Sequence, residues 1–433
     1  MSTPSLLNIP YVIKAGTLYS QIPETGAGDF AVTRTTSPAN NRSTRINADG
    51  FIELVNDNVP RLDYPLGGAV NGCAALLVEP SAQNAFIQSQ TLFTSHLVQN
   101  LTTAGYADVA ISPDGTQNAE KFVPNTTNGV HGIADITSQT ITSGTTYTFS
   151  CFAKSDGGTN FPFIALILDN STAWGATRNA IFNVVSGTVH GSAPSGVTMR
   201  IQNYGNGWYR FSATATAVGS VTGQYQYRIY IPNSSATLSY AAASGNTEGV
   251  LVWGAQLEVG SVATSYIPTT TAAITRGADV INKTSIASLI GQTEGTVYLE
   301  MQADAAGTGQ NFLYVGNNVN DSIVIGKSGA NCFFELKVNG TNLISNSSVG
   351  LSGTVIKGAI AYANGNYAAY ANGNLLASGT TSRTPANALT AIAFSNFINL
   401  PTINAPTAIM RVRASALYPN RLTNAQLATL TTP

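Results

Sequence analysis

Leu251, Trp253, Ala255 and Leu257 alternate along the chain with Val252, Gly254, Gln256 and Glu258. That is the period of a β-strand, whose successive side chains point to opposite faces. Pro268 ends the pairing, a Thr-rich run follows, and a second series of short strand-like segments begins near Gly295. The stretch from Val252 to Asp279 therefore reads as the closing strand of one domain and the exit from it.

The chain has 433 residues, enough for two or three domains with sizeable cores. Charged residues make up only 9% of it, against about 25% in an ordinary soluble domain. Thr, Ser, Asn, Ala and Gly take their place, which disfavours long exposed helices and favours strands joined by Gly and Asn turns. A net charge of -1 offers no attraction to nucleic acid or to an anionic membrane surface, so neither is expected as a partner. The first residues lack a basic segment followed by an apolar one, and no apolar run approaches the roughly 20 residues that span a bilayer, so membrane insertion is not expected. Cys73, Cys151 and Cys332 are odd in number and far apart, and read as small buried hydrophobes of a protein made in a reducing cytoplasm.

Three regions follow. Residues 1–80 hold short apolar pieces between turns, with Asn47, Asp49 and Gly50 placed for a hairpin between Arg45 and Phe51. Residues 81–275 read as a β-sandwich with strands at Thr145 to Lys154, Asn160 to Leu168, Trp208 to Ala215, Gln224 to Ile231 and Val250 to Glu258. In the first of these strands Tyr147, Phe149, Cys151 and Ala153 share the core face. The run FPFIALIL lacks polar alternation and is expected at the centre of its sheet, buried on both sides. After a linker at 276–289, residues 290–433 repeat the grammar with shorter strands. Asn339-Gly340, Asn364-Gly365 and Asn372-Gly373 are two-residue hairpin signals, the last two defining a meander from Ala359 to Ser378. Tyr367 and Tyr370 lie on its opposite faces. Thr423 and Gln426 form a capping box for a terminal helix.

Several segments resemble modules of tailed-bacteriophage virion proteins. KAGTLYSQIP, GDFAVTR, STRINADGFIELV, NVPRLDYPLGG and CAALLVEPSAQN resemble an N-terminal attachment or collar module of phage tail and head-fibre proteins. WGAQLE with its exit TSYIPT resembles the close of a carbohydrate-binding-module-like jelly roll, and LYPNRLTNAQLATL that of a concanavalin A-like or laminin-G-like domain. The resemblance implies an all-β chain of two antiparallel β-sandwich (jelly-roll) domains in tandem after an N-terminal β-rich attachment region. It implies a head or tail fibre or spike, made in the host cytoplasm and built into the virion as a homotrimer. Its N-terminal region would contact other virion proteins, and its outer domains host-surface glycans. A tail-spike polysaccharide depolymerase is the alternative.

Sugar recognition needs aromatic faces for stacking beside amide or guanidinium groups for hydroxyls. Gln224, Gln226, Arg228 and Tyr230 share one parity of QYQYRIYI, with Tyr225, Tyr227, Ile229 and Ile231 directed inward. Trp208 and Arg210 fall on the polar face of WYRFSATA; if the two strands pair, the faces merge into one patch, and the alternative is that Trp208 is a core or inter-subunit residue while the Gln and Arg side chains are ordinary solvated positions. Trp174, between loop-forming Ser, Thr and Gly, is expected at the surface, against a sugar or an interface. A catalytic reading finds little: His96, His131 and His190 are isolated, and there is no HExxH or G-x-S-x-G. Glu300 and Asp304 are the nearest carboxylate pair on one strand but lack the third partner of concanavalin-type glycanases. No catalytic residue, cofactor or metal is expected; NNVNDS around Asp321 reads as a polar turn.

Overall fold

The computed structural model describes residues 2–37, 43–64, 72–303 and 306–433. Among them strands dominate, and every strand pairing is antiparallel, as the alternating patterns require. The chain forms two sandwiches, but their boundaries differ from those expected.

Residues 81–275 form the first sandwich. A seven-stranded sheet runs Leu101–Thr102, Gln117–Pro124, Val250–Val259, Thr146–Ser155, Trp208–Thr216 and Val197–Gly205, with Ala110–Ile111 added beside Gln117–Pro124. The opposing six-stranded sheet runs Leu97–Gln99, Gly132–Ala134, Tyr227–Tyr230, Phe163–Leu168, Arg178–Asn183 and Thr188–Val189. Tyr147, Phe149, Cys151 and Ala153 face the core as expected, against Ile164, Leu166 and Leu168. Phe163–Leu168 is buried throughout, its other parity, Ala165 and Ile167, packing under Tyr230 on the outer side.

The closing strand Val250–Val259 departs from strict alternation. Val250 and Val252 point into the core, and so do Ala255 and Leu257. The parity changes at Gly254, whose φ is 63°, where the register against Thr146–Ser155 slips between Ser150 and Phe152. A bulge with a left-handed glycine accounts for both. Trp253 and Leu251 are therefore not in the inter-sheet core with Ala255 and Leu257. Trp253 packs on the outer face with Phe152, Trp208 and Tyr266.

The expected independent collar at 1–80 and linker at 276–289 are corrected by the strand pairing. Leu6–Asn8, Ala75–Val78 and Arg61–Asp63 join the eight-stranded sheet that also holds Glu294–Gln302, Val355–Ala363 and Met410–Tyr418. Ile13–Lys14, Thr17–Leu18, Phe30–Thr33 and the supposed linker strand Val280–Lys283 join the opposing nine-stranded sheet. Leu6, Leu18, Phe30, Val32, Leu76 and Val78 share one core with Val297, Leu299, Leu313 and Phe394. The physical reason is strand length: pieces of two to four residues cannot bury an apolar face alone, but can extend a sheet that already has one. The second sandwich is thus discontinuous, and the first is inserted into it.

The predicted hairpin forms between Ser43–Ile46 and Ile52–Val55, with Asn47 Oδ1 accepting from the amides of Asp49 and Phe51 at 3.0 and 2.9 Å. It covers the outer face of the seven-stranded sheet around Trp208 and Trp253. Asn339-Gly340 and Asn372-Gly373 both have positive φ at each centre, the type I′ geometry. The meander Val355–Ala363, Asn366–Ala371, Asn374–Gly379 follows. Tyr367 faces the sandwich core and Tyr370 the terminal helix Asn424–Thr431, so neither is exposed. Thr423 and Gln426 close the capping box. Cys151 and Cys332 are buried and burial pushes their thiols up, whereas Cys73 is exposed, against expectation. Among the described residues no helix is long and apolar enough to cross a membrane.

Candidate functional site

The two sandwiches meet on buried charge. Arg34 Nη1 lies 2.8 Å from Asp279 Oδ1, Arg61 reaches Asp279 and sits 2.7 Å from Glu79, and Arg276 is 2.9 Å from Glu79. All five side chains are almost wholly buried. The backbone amide and hydroxyl of Ser265 donate to Glu79 at 2.9 and 2.6 Å. Burial alone would raise both carboxyls, but the neighbouring arginines outweigh it and hold Glu79 and Asp279 below the usual carboxylate range. Each arginine comes from a different segment, so the network ties the N-terminal strands to the exit of the inserted sandwich.

Beside this network, a cleft of about 860 Å³ separates the sandwiches. One wall is the outer face of the seven-stranded sheet. In its edge strand Val197, Met199 and Ile201 turn to the core, which leaves Thr198, Arg200 and Gln202 outward. Arg200 pairs in register with Ser212 and Ser212 with Ser150, while Thr148 and Thr214 hydrogen-bond at 2.8 Å, so hydroxyls cover this face, with Arg200 on its edge strand and Arg210 and Glu258 buried on it beside Ser150 and Thr264. The other wall belongs to the discontinuous sandwich and includes Lys327, Thr407 and Arg411. Arg411 Nε donates to Asp63 Oδ2 at 2.7 Å, while 38% of its side chain stays exposed. The walls approach each other at Gly307, where a Cβ would stand 3.2 Å from Ser261 Oγ. Its volume is that of a small-molecule or short saccharide site.

The residues expected to bind sugar are placed differently. Trp174 is 2% exposed in the core of the inserted sandwich, edge-on to Tyr147 at 6.0 Å. Its flanks do form a turn, with Asn170 capping it and Gly175 left-handed, but the turn directs the ring inward. Trp208 and Arg210 are buried at 3% and 2% under the N-terminal hairpin and the Thr264–Tyr266 segment. Trp208 Nε1 donates to the Ile111 carbonyl at 3.1 Å, and Arg210 donates to the Thr264 carbonyl and stacks on Phe152. Arg228 and Tyr230 lie on the six-stranded sheet, so they do not merge with Trp208 and Arg210 into one patch. Tyr227, Ile229 and Ile231 point inward as expected, but Tyr225 sits at φ 60° before the strand and is exposed. Gln224 is exposed and Gln226 buried. Arg228 is spent on an ion pair with Asp169 and a 2.9 Å bond to the Tyr230 hydroxyl, which in turn donates to Gln99 Oε1 at 2.6 Å.

The histidines play local parts. His131 is buried with its ring nitrogens 2.7 and 2.8 Å from the carbonyls of Asn100 and Tyr240, and His190 lies against Phe163. Glu300 accepts from the Tyr298 hydroxyl at 3.2 Å; Asp304 lies outside the described residues. Asp321 anchors its turn by accepting from the Asn339 and Asn387 amides. Among the described residues no group of three or more His, Cys, Asp and Glu stands close enough to hold a metal ion.

Sequence reasoning passed over Arg200, Gln202 and Arg411. The signal for the first two was present: VTMRIQ alternates as cleanly as WYRFSATA, and its polar parity carries both. No such signal marks Arg411, because its place at the cleft depends on the long-range pairing of its strand.

No protein-family model matches the chain, and no curated protein matches it. Among solved structures, the Ruminococcus gnavus IT-sialidase CBM40 is similar at 16% identity over 34% of this chain and 87% of that one, with a TM-score of 0.30. The receptor binding domain of botulinum neurotoxin mosaic serotype C/D matches at 14% identity over 35% and 39% of the two chains, TM-score 0.29. The K499G mutant of NanB sialidase from Streptococcus pneumoniae matches at 15% over 34% and 26%, TM-score 0.29.

Proposed function

We propose that this chain is a non-enzymatic adhesion component of a tailed-phage virion, a head or tail fibre or spike that binds host-surface glycans in the cleft between its sandwiches. One observation carries the binding half: a roomy cleft walled by hydroxyl, amide and guanidinium groups, which suit sugar hydroxyls, with neither Asp nor Glu among the described residues of its lining. Glycoside hydrolysis would ask for two carboxyl groups about 5 to 10 Å apart there. The virion half rests on the resemblance of the segments quoted above. Because the first 80 residues are woven into the second sandwich, attachment to another virion protein would use a surface rather than a free module. The neighbouring residues Ile9, Tyr11 and Val12, 45%, 63% and 40% exposed, offer an apolar one. A homotrimer is the expected assembly. Light scattering should give three times the 45.0 kDa chain mass, and the purified chain should bind host cells and compete with particle adsorption. A monomer that binds no glycan on an array and leaves adsorption unchanged would remove the proposal.

A further inference from the structure

We infer that a second copy of this chain docks on the side of the discontinuous sandwich where the strands Thr341–Gly350 and Asn374–Gly379 end its two sheets. The inference rests on the homotrimer of the proposed function and supplies its interface. Thr341–Gly350 is the outermost strand of the nine-stranded sheet, and Asn374–Gly379 that of the eight-stranded one. Each pairs with a single strand among the described residues, so alternate N–H and C=O groups along its outer side have no strand to bond. The two edges lie side by side, with Asn346 Nδ2 3.5 Å from the Leu376 carbonyl.

Open edges are ordinarily kept short or charged, because an unpaired strand invites another chain. The other outermost strands among the described residues follow that rule. Each has three residues or fewer or carries a charged side chain, as Val197–Gly205 carries Arg200. Thr341–Gly350 and Asn374–Gly379 run to ten and six residues without Lys, Arg, Asp, Glu or Pro. The neutrality extends beyond them: from Val338 to Met410 the only charged residues are Lys357 and Arg383, and Lys357 lies on an inner strand opposite Glu300. The core is also incompletely covered here. Leu343, Val349, Leu376 and Ala377 pack on it while staying partly exposed, and the adjoining Leu375 is 51% exposed.

These features select a copy of this chain as the occupant. A symmetry axis brings identical surfaces together, so a charge on them would meet its own kind, and these edges carry none. A closed threefold ring needs two different patches per chain, each meeting the other on the next copy. The two edges provide them. Thr341–Gly350 of one copy continues into Asn374–Gly379 of the next, and the partly covered cores face the axis.

Light scattering tests this on the full-length chain, expected at three times the 45.0 kDa chain mass. Ser347 and Leu375 are both exposed. Ser347→Lys and Leu375→Lys each place three like charges about the axis, and each should give the mass of a single chain with unchanged far-ultraviolet circular dichroism. Thr188→Lys, on a two-residue edge of the inserted sandwich, should stay trimeric. Mixed in equal amounts, the two edge variants should form heterodimers, since one intact Thr341–Gly350 edge can still meet one intact Asn374–Gly379 edge. A mixture that stays at single-chain mass would overturn the pairing of these two edges. A trimer that survives both substitutions would overturn the interface and leave the homotrimer standing. A monomeric parent would overturn both readings, and a mass that grows without limit as concentration rises would overturn the closed ring.

Discussion

Trp174 has every local mark of an exposed loop residue, yet its ring fills the inserted sandwich between Tyr147 and Tyr227, at 6.0 and 6.3 Å between centroids. Asn170 explains how. Its side chain accepts from the amides of Thr172 and Ala173 at 2.9 and 3.1 Å, so the polar flanks satisfy the backbone of a single helical turn while the tryptophan points the other way. Trp174→Ala should therefore cost stability rather than affinity, about 3 to 5 kcal/mol for an aromatic removed from a packed core. Urea unfolding would measure it. A loss below about 1 kcal/mol with weakened cell binding would return Trp174 to the surface role its sequence context suggested.

At the scale of elements, what was legible divides by how local its cause is. The Asn-Gly hairpins, the Thr423 cap and the doubly buried Phe163–Leu168 strand were readable because a turn type, a cap or an unbroken apolar run is decided by neighbours in sequence. The Gly254 bulge was not, since one inserted residue inverts the parity of everything beyond it and leaves no trace in the alternation itself. Nor was the fate of the N-terminal strands, whose partners lie hundreds of residues away: Leu6 pairs with Leu417 and Leu77 with Arg411. This placement has a measurable consequence. Leu6, Leu18, Phe30, Val32, Leu76 and Val78 are each at most 1% exposed, and burial of such side chains stabilises by roughly 1.5 to 3 kcal/mol apiece, together comparable to a domain's whole stability. A chain beginning at residue 81 should therefore lose the cooperative unfolding of the second sandwich, seen as a missing calorimetric transition. An unchanged transition would mean that the first 80 residues form a separable collar after all.

For the molecule as a whole, the buried carboxyls divide into two sets with opposite linkage to pH. Glu79 and Asp279, held low by their arginines, give stability that is present above the ordinary carboxylate range and lost as acid protonates them. Glu120 is the converse. Burial pushes its carboxyl up to about 8, even though the Phe93 amide donates to it at 2.9 Å. The folded chain then keeps a proton that the unfolded chain releases from about pH 4.5 upward, so this contribution falls away as pH rises towards 8. Glu258, buried beside Thr264 and also raised, bends the profile the same way. Stability should peak near pH 5 and decline on both sides. Glu120→Gln should flatten the decline above the peak and leave the acid side alone. Asp279→Asn should blunt the acid limb while lowering stability at every pH by about 3 to 5 kcal/mol, because Arg34 and Arg61 would keep their charge in a dry seam without their partner. Urea midpoints measured from pH 3 to pH 9 for the parent chain and both variants test this directly. A midpoint that climbs steadily from pH 5 to pH 8 in the parent would show that Glu120 ionises in the folded protein as it does in water. An Asp279→Asn chain as stable as its parent would show that the two sandwiches are joined by packing alone.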